Sequence, residues 1–200
     1  MALIHMTPDS YIVSQWSGGT TTQVAIAPEG AVYADRDFLW RISSASVDLD
    51  ESDFTALPDY HRWISTLKGG MTLSHEGGEK IVLAPYEVHQ FDGGVDTHSW
   101  GRCTDFNLML RKGKCRGVVR SIKLAAGESA VVNFESTPSE QFPNADLMVF
   151  CGEGKATAAL DGESVELTDL HAALVKNAVG SVVTVTAQDA SCFMIAEVQI

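Results

Sequence analysis

The chain has 200 residues, of which 45% are apolar and 20% charged, the composition of a folded protein with a sizeable core rather than of a disordered one. Its 26 acidic and 14 basic side chains leave a formal charge of -12, and the excess is spread evenly, with 8 basic against 15 acidic residues through position 112 and 6 against 11 beyond it. A chain this acidic in both halves offers no basic face for a run of phosphates, so neither nucleic acid nor an anionic membrane surface is an expected partner.

Taken in chain order, the opening MALIHMTPDS has no basic start and no apolar stretch of leader length, and no later run approaches a membrane span, so a cytoplasmic location is expected. From Tyr11 onward the chain alternates between short segments rich in Val, Ile, Leu, Thr and Phe and clusters of turn residues. In the first half the segments are Tyr11–Trp16, Thr21–Ala27, Phe38–Val47, Arg62–Leu67, Met71–His75, Lys80–Leu83, Val88–Phe91 and Thr104–Leu110. In the second they are Gly117–Leu124, Ala130–Phe134, Leu147–Cys151, Lys155–Leu160, Ser164–Leu167, Ala172–Val175, Ser181–Ala187 and Cys192–Val198. This spacing predicts an all-β barrel or sandwich. Helical periodicity is scarce, and the stretch 49–59, with Pro58 and its acidic residues, reads as a loop.

Two segments resemble each other. GMTLSHEGGEKIVLAPYEVHQF from Gly70 and GKATAALDGESVELTDLHAALV from Gly154 match at an offset of 84, pairing Gly78 with Gly162 and Leu83 with Leu167. Each reads as strand, glycine turn, strand, polar break, strand. The pattern predicts two tandem β-barrels, residues 1–112 and 113–200, joined at the basic, glycine-containing run RKGKCRG.

Standard catalytic motifs are missing: there is no G-x-G-x-x-G, no G-x-x-x-x-G-K-[ST], no G-x-S-x-G and no H-E-x-x-H. Cys103, Cys115, Cys151 and Cys192 form no C-x-x-C and read as reduced thiols. The six histidines form no H-x-H, and His75 is cut off from Glu79 by a Gly-Gly turn. Convergence of His75, His89 and His98 would require distant strands to pair, so the expectation is no metal and no cofactor.

The informative residues lie on three strands, where side chains alternate between faces. Thr21, Gln23 and Ala25 share one face, with Val24 and Ile26 on the other. Arg41, Ser43 and Ala45 oppose Trp40 and Ile42, and Asp105, Asn107 and Met109 oppose Phe106 and Leu108. Two readings stand. In one, the polar faces are solvated and the apolar faces form the core. In the other, the polar faces line the mouth of a barrel, where the planar fork of Arg41 suits a carboxylate and Gln23, Ser43 and Asn107 add neutral hydrogen bonds. Asp105 then orients Arg41 or accepts from a ligand N–H. Arg62, placed with Tyr60 in a loop after Pro58, is a candidate second cation, and Ala25 and Ala45 leave room. Trp16 reads equally as pocket cap or core, Gly18 and Gly19 as a tight turn or a close approach to ligand, and Phe91 as core.

At these strands the sequence resembles the HutD/Ves family of cupin-like proteins. The residues that carry the resemblance are WSGGTTTQ (16–23), FLWRISSASV (38–47), FTALPDYHR (54–62), LKGG (67–70), PYEVHQFDGG (85–94) and DFNLMLRKG (105–113). It departs from the family in having WSGGT for an Asn-Gly-Gly-type run and LPDY for FPGY. The resemblance implies a bicupin-like fold without the usual cupin metal residues. It also implies a regulatory or sensing role in histidine utilisation, with a small carboxylate such as urocanate, formiminoglutamate or formylglutamate as ligand. The alternative is a metal-free isomerase or hydrolase with Asp105 or His89 as proton carrier. No nucleophile–base pair is evident, so no catalytic residue is assigned. A homodimer is left open.

Overall fold

A computed structural model describes residues 2–137 and 139–200. Among them the chain runs through β1 (Leu3–Met6), β2 (Ile12–Trp16), β3 (Gly19–Ala27), β4 (Trp40–Val47), β5 (Glu51–Asp53), β6 (Tyr60–Lys68), β7 (Met71–His75), β8 (Ile81–Leu83), β9 (His89–Asp92) and β10 (Thr97–Trp100). It continues with β11 (Cys103–Arg111), β12 (Arg116–Leu124), β13 (Ser129–Asn133), β14 (Ala145–Glu153), β15 (Ala156–Leu160), β16 (Glu163–Leu167), β17 (Ala172–Val175), β18 (Val182–Ala187) and β19 (Ser191–Gln199). Two short 3-10 turns, Pro8–Ser10 and Tyr33–Asp35, are the helical elements among the described residues, and neither is long enough to cross a membrane.

All sixteen expected segments are strands. The structure adds three short ones: β1, β10 and β5, the last inside the expected 49–59 loop. The fold is therefore all-β, but its sheets are open. Tyr11–Lys114 forms one compact unit. It holds a six-stranded sheet ordered β2-β3-β4-β11-β6-β9 and a four-stranded sheet ordered β5-β10-β7-β8. Hydrogen-bonded ladders stop at the outer strands of each sheet, so the pair is not closed into the barrel the spacing predicts.

The residues before Tyr11 and Cys115–Ile200 form the other unit, with sheets β1-β17-β14-β19-β12 and β13-β18-β15-β16. The expected division at residue 112 thus needs a correction at the N-terminus. Residues Leu3–Met6 pair with Val175–Ala172, which takes the first strand out of the unit that comes after it in sequence. Cys103, Cys115 and Cys151 are buried, and Cys192 is partly so.

The two glycine hairpins do occur, one residue out of step with the sequence match. In the β7–β8 turn Glu76 and Gly77 carry positive φ, and in the β15–β16 turn Asp161 and Gly162 do. Two successive positive-φ residues match the twist of the flanking strands. Gly77, not Gly78, is therefore the conformational counterpart of Gly162.

Two apolar clusters organise the unit that holds the site. Val47, Ile64, Met71, Leu73, Leu83, Phe91 and Cys103 come from both of its sheets and form the core between them. Phe38, Leu57, Tyr60 and Met109 form a second cluster, in which Phe38 and Tyr60 stack at 4.4 Å and the Tyr60 hydroxyl donates to the Phe38 carbonyl at 2.9 Å. Trp40, Ile42, Phe106 and Leu108 are buried too, so β4 and β11 are covered on both faces. That geometry removes the solvated reading of their polar faces.

Gly18 and Gly19 settle as packing positions. A Cβ on Gly18 would fall 2.1 Å from the Trp16 ring, and one on Gly19, at φ +147, would fall 1.8 Å from the Ser46 carbonyl oxygen. The second contact is with backbone and cannot be relieved by a rotamer. Gly19→Ala should therefore lower unfolding stability by about 2 kcal/mol or more. Gly70→Ala, whose Cβ would make ordinary contact at 3.6 Å, should stay within about 0.5 kcal/mol of the parent. Urea denaturation of the two variants checks the contrast.

Candidate functional site

The site is built on three adjacent strands with β11 in the middle. Met109 sits opposite Arg41 of β4 on one side and Arg62 of β6 on the other. One step along, Asn107 sits opposite Ser43 and Ile64. One step further, Asp105 sits opposite Thr66, and its Oδ1 accepts from the Ala45 amide at 2.7 Å. Strand alternation puts this whole array on one face. The result is a cavity of about 270 Å³ floored by Arg41, Ser43, Arg62, Asp105, Asn107 and Met109. Each of these is buried, with at most 6% of its surface exposed, although five of the six are polar.

Arg41 is held by neutral groups. Its Nε donates to Gln23 Oε1 at 2.8 Å, its NH1 donates to Ser43 Oγ at 3.0 Å, and its guanidinium lies 4.3 Å from the centroid of the Tyr33 ring. Gln23 thus orients the arginine from behind and does not itself line the cavity. Among the described residues no carboxylate forms an ion pair with Arg41 or with Arg62. The Arg62 guanidinium lies 4.7 Å from the Phe54 ring and 5.3 Å from the Phe91 ring, and its Nε is buried without a hydrogen bond. The Asn107 Oδ1 is buried and unbonded as well.

Burial sets the electrostatics. Desolvation lowers the pKa of Arg41, and it lowers that of Arg62 to about 10. It also raises Asp105 to about 7, against the opposing pull of the Ala45 amide and the two guanidinium groups. The cavity therefore holds two buried cations and a buried carboxyl group poised near neutrality, with the exposed Asp53 also on its lining.

The six expected site residues come together, with two adjustments. Arg62 lies on β6, with Tyr60 at its start, and not in a loop. On β3 the register shifts between Gln23 and Ala25, leaving Val24 as an extra residue. The bulge reverses the alternation, so that Ile26 lies opposite Arg41 and Ala25 lies opposite Ile42, on the face away from the cavity. The room expected from Ala25 is therefore not on the cavity face. Sequence reasoning missed Tyr33 and Phe54, which line the cavity, and placed Met109 on the cavity face without giving it a role. Met109 carries the same alternation as Asp105 and Asn107, while the stretch around Tyr33 has no periodicity to reveal it. Trp16 lines the cavity, and Phe91 serves both the core and the flank of Arg62.

His75 and His89 do converge, with their Nε2 atoms 2.9 Å apart and their rings stacked. Thr97 Oγ1 lies 2.9 Å from His75 Nδ1 and 3.1 Å from the Val95 carbonyl oxygen. Desolvation lowers the pKa of both histidines. His98 instead lies 2.6 Å from Asp53, whose bond raises its pKa. Among the described residues no group of three or more His, Cys, Asp or Glu is placed to hold a metal ion.

An all-β protein with an arginine-floored pocket is the class these features define. The profile of the HutD family matches residues 9–193, and the chain belongs to that family. It is 32% identical over 115 residues to Protein Ves of Cronobacter sakazakii, a match covering 54% of this chain and 60% of that protein, so the chain spans under two thirds of that relative's length. A conserved protein of unknown function from Pseudomonas aeruginosa PAO1 superposes with a TM-score of 0.83 at 21% identity, covering all of both chains. HutD from Pseudomonas fluorescens SBW25 does so with 0.74 at 20%, again over all of both. A cupin 2 conserved barrel domain protein from Leptotrichia buccalis superposes with 0.55 at 12%, covering 94% of this chain and 92% of that one. These structures share the fold.

The raised pKa of Asp105 carries a stability signature. The folded state favours the protonated acid, so the cost is absent below about pH 3.8, grows as the pH rises and is complete above about pH 7. Asp105→Asn keeps an oxygen for the Ala45 amide and removes that cost. The variant should match the parent near pH 4 and exceed it at pH 8 by roughly 1–3 kcal/mol. Parallel urea-denaturation profiles across this range would contradict the assignment.

Proposed function

We propose that this chain is a binding protein for a small carboxylate metabolite, with a sensing or regulatory role in histidine utilisation. The observation that carries the reading is Arg41: a buried guanidinium fixed in orientation by Gln23 and Ser43, with no carboxylate among the described residues as its partner. A cation held this way by neutral groups carries an unmet charge that an incoming anion satisfies. The fork of an arginine takes a carboxylate through two parallel bonds. Ser43 and Asn107 add neutral polar contacts beside it, and Tyr33, Phe54 and Met109 supply apolar walls. Family membership supports the link to histidine utilisation, and urocanate, formylglutamate and formiminoglutamate are the acids to test first. We place the protein in the cytoplasm.

A second reading is a metal-free enzyme that moves a proton at Asp105. It is favoured by one feature: a buried carboxyl group at the cavity whose pKa of about 7 suits transfer at neutral pH. Turnover of the same acids by purified, metal-stripped protein separates the two readings.

Calorimetry tests the leading one. At least one of the three acids should bind, and Arg41→Ala should abolish binding. Arg41→Lys should weaken it about tenfold or more, because an ammonium cannot reproduce the two-pronged contact. Unchanged affinity in Arg41→Ala would overturn the reading.

A further inference from the structure

We infer that the ligand of this pocket is a short dicarboxylate, with one carboxylate on Arg41 and the other on Arg62. The inference rests on the carboxylate reading above and deepens it: among the acids named there it favours formylglutamate and formiminoglutamate, which carry two carboxylates, over urocanate, which carries one, and it assigns the second carboxylate to Arg62.

The argument begins with register. Met109 pairs with Arg41 on one side and Arg62 on the other, so the two arginines stand in one row across the sheet, one strand to either side of β11. Their Cα atoms are then two strand spacings apart, ~9.6 Å. Both side chains belong to the cavity face, and both line the cavity. A single carboxylate on Arg41 leaves Arg62 as a second buried cation without an anion.

Charge balance favours two anionic groups. Neither guanidinium forms an ion pair among the described residues. Arg62 bears this cost most: it is buried, its Nε has no hydrogen bond, and the groups beside it are the Phe54 and Phe91 rings. Arg36 adds a third positive group on the Arg41 side, 4.0 Å from the Tyr33 ring that also carries Arg41, and its NH1 is buried and unbonded as well. Two acids line the cavity: Asp105, four residues along β11 from Met109, attracts both guanidinium groups but is pushed by burial toward its neutral form, and the exposed Asp53 lies 2.6 Å from His98 Nδ1. Among the described residues neither forms an ion pair with the arginine row. A protein whose net charge is -12 has gathered three arginines here with no carboxylate among the described residues paired to them.

The spacing sets the ligand's length. The row spacing of ~9.6 Å between the two arginine Cα atoms sets the scale that the two carboxylates must bridge, a few methylenes. Succinate, glutarate and adipate bracket that range.

Calorimetry on the full-length protein compares each diacid with its half-amide, succinamate, glutaramate or adipamate. The pair has the same shape and differs by one negative charge. The best diacid should bind at least tenfold more tightly than its half-amide. Arg62→Gln should bring the diacid down to the affinity of the half-amide while changing the half-amide by no more than about twofold. If diacid and half-amide bind equally well, or the half-amide binds better, the dicarboxylate inference is wrong and the single-carboxylate reading stands. If no diacid and no half-amide binds, both fall. The comparison in the parent protein decides the matter even where Arg62→Gln does not fold.

Discussion

Everything in the site depends on a guanidinium group taken out of water and left without a carboxylate. Removing a charge from solvent costs several kcal/mol unless its hydrogen bonds are remade. For Arg41 they are remade in part by Gln23 and Ser43, and the Tyr33 ring covers one side of the group. The β3 bulge makes this possible. Without the extra residue at Val24 the strand would keep one alternation along its length, and Gln23 and Ile26 could not both lie on the face of Arg41. A local fault in strand pairing thus provides both the polar acceptor and the apolar neighbour.

The scaffold keeps this arrangement rigid. β4 and β11 are buried on both faces, one apolar and one polar. Large side chains such as Phe106, Leu108, Trp40 and Ile42 on the apolar face fix strand positions, so the polar side chains opposite them are held with little freedom. A rigid polar face with unmet hydrogen-bonding capacity loses little entropy on binding. The same burial that perturbs Asp105 and Arg62 therefore makes the site a ready receptor for charge.

Much of this was legible in the sequence, for reasons that can be named. Period-two alternation on β4 and β11 is a direct consequence of strand geometry, so Arg41, Ser43, Asp105 and Asn107 could be grouped before any pairing was known. Pairing itself was not legible. That β11 lies between β4 and β6, and so sets Arg41 and Arg62 in one row, depends on contacts distant in sequence. Arg62 opens an expected strand yet also falls under the loop reading after Pro58, and the strand begins two residues earlier, at Tyr60. The bulge at Val24 leaves no mark in composition, which is why Ala25 was assigned to the wrong face. β5 and β10 are only three and four residues long and rich in polar side chains, too short for alternation to register. The first strand, Leu3–Met6, pairs with β17, and no local pattern announces such a partner.

The most direct test of the account is a crystal structure of the protein grown with glutarate. The account predicts the ligand in the cavity over Met109, with one carboxylate within hydrogen-bonding distance of the Arg41 guanidinium, the other similarly placed on Arg62, and the Gln23–Arg41 bond intact. A cavity that stays free of the ligand at saturating concentration, or a ligand bound with neither arginine in contact, would contradict it.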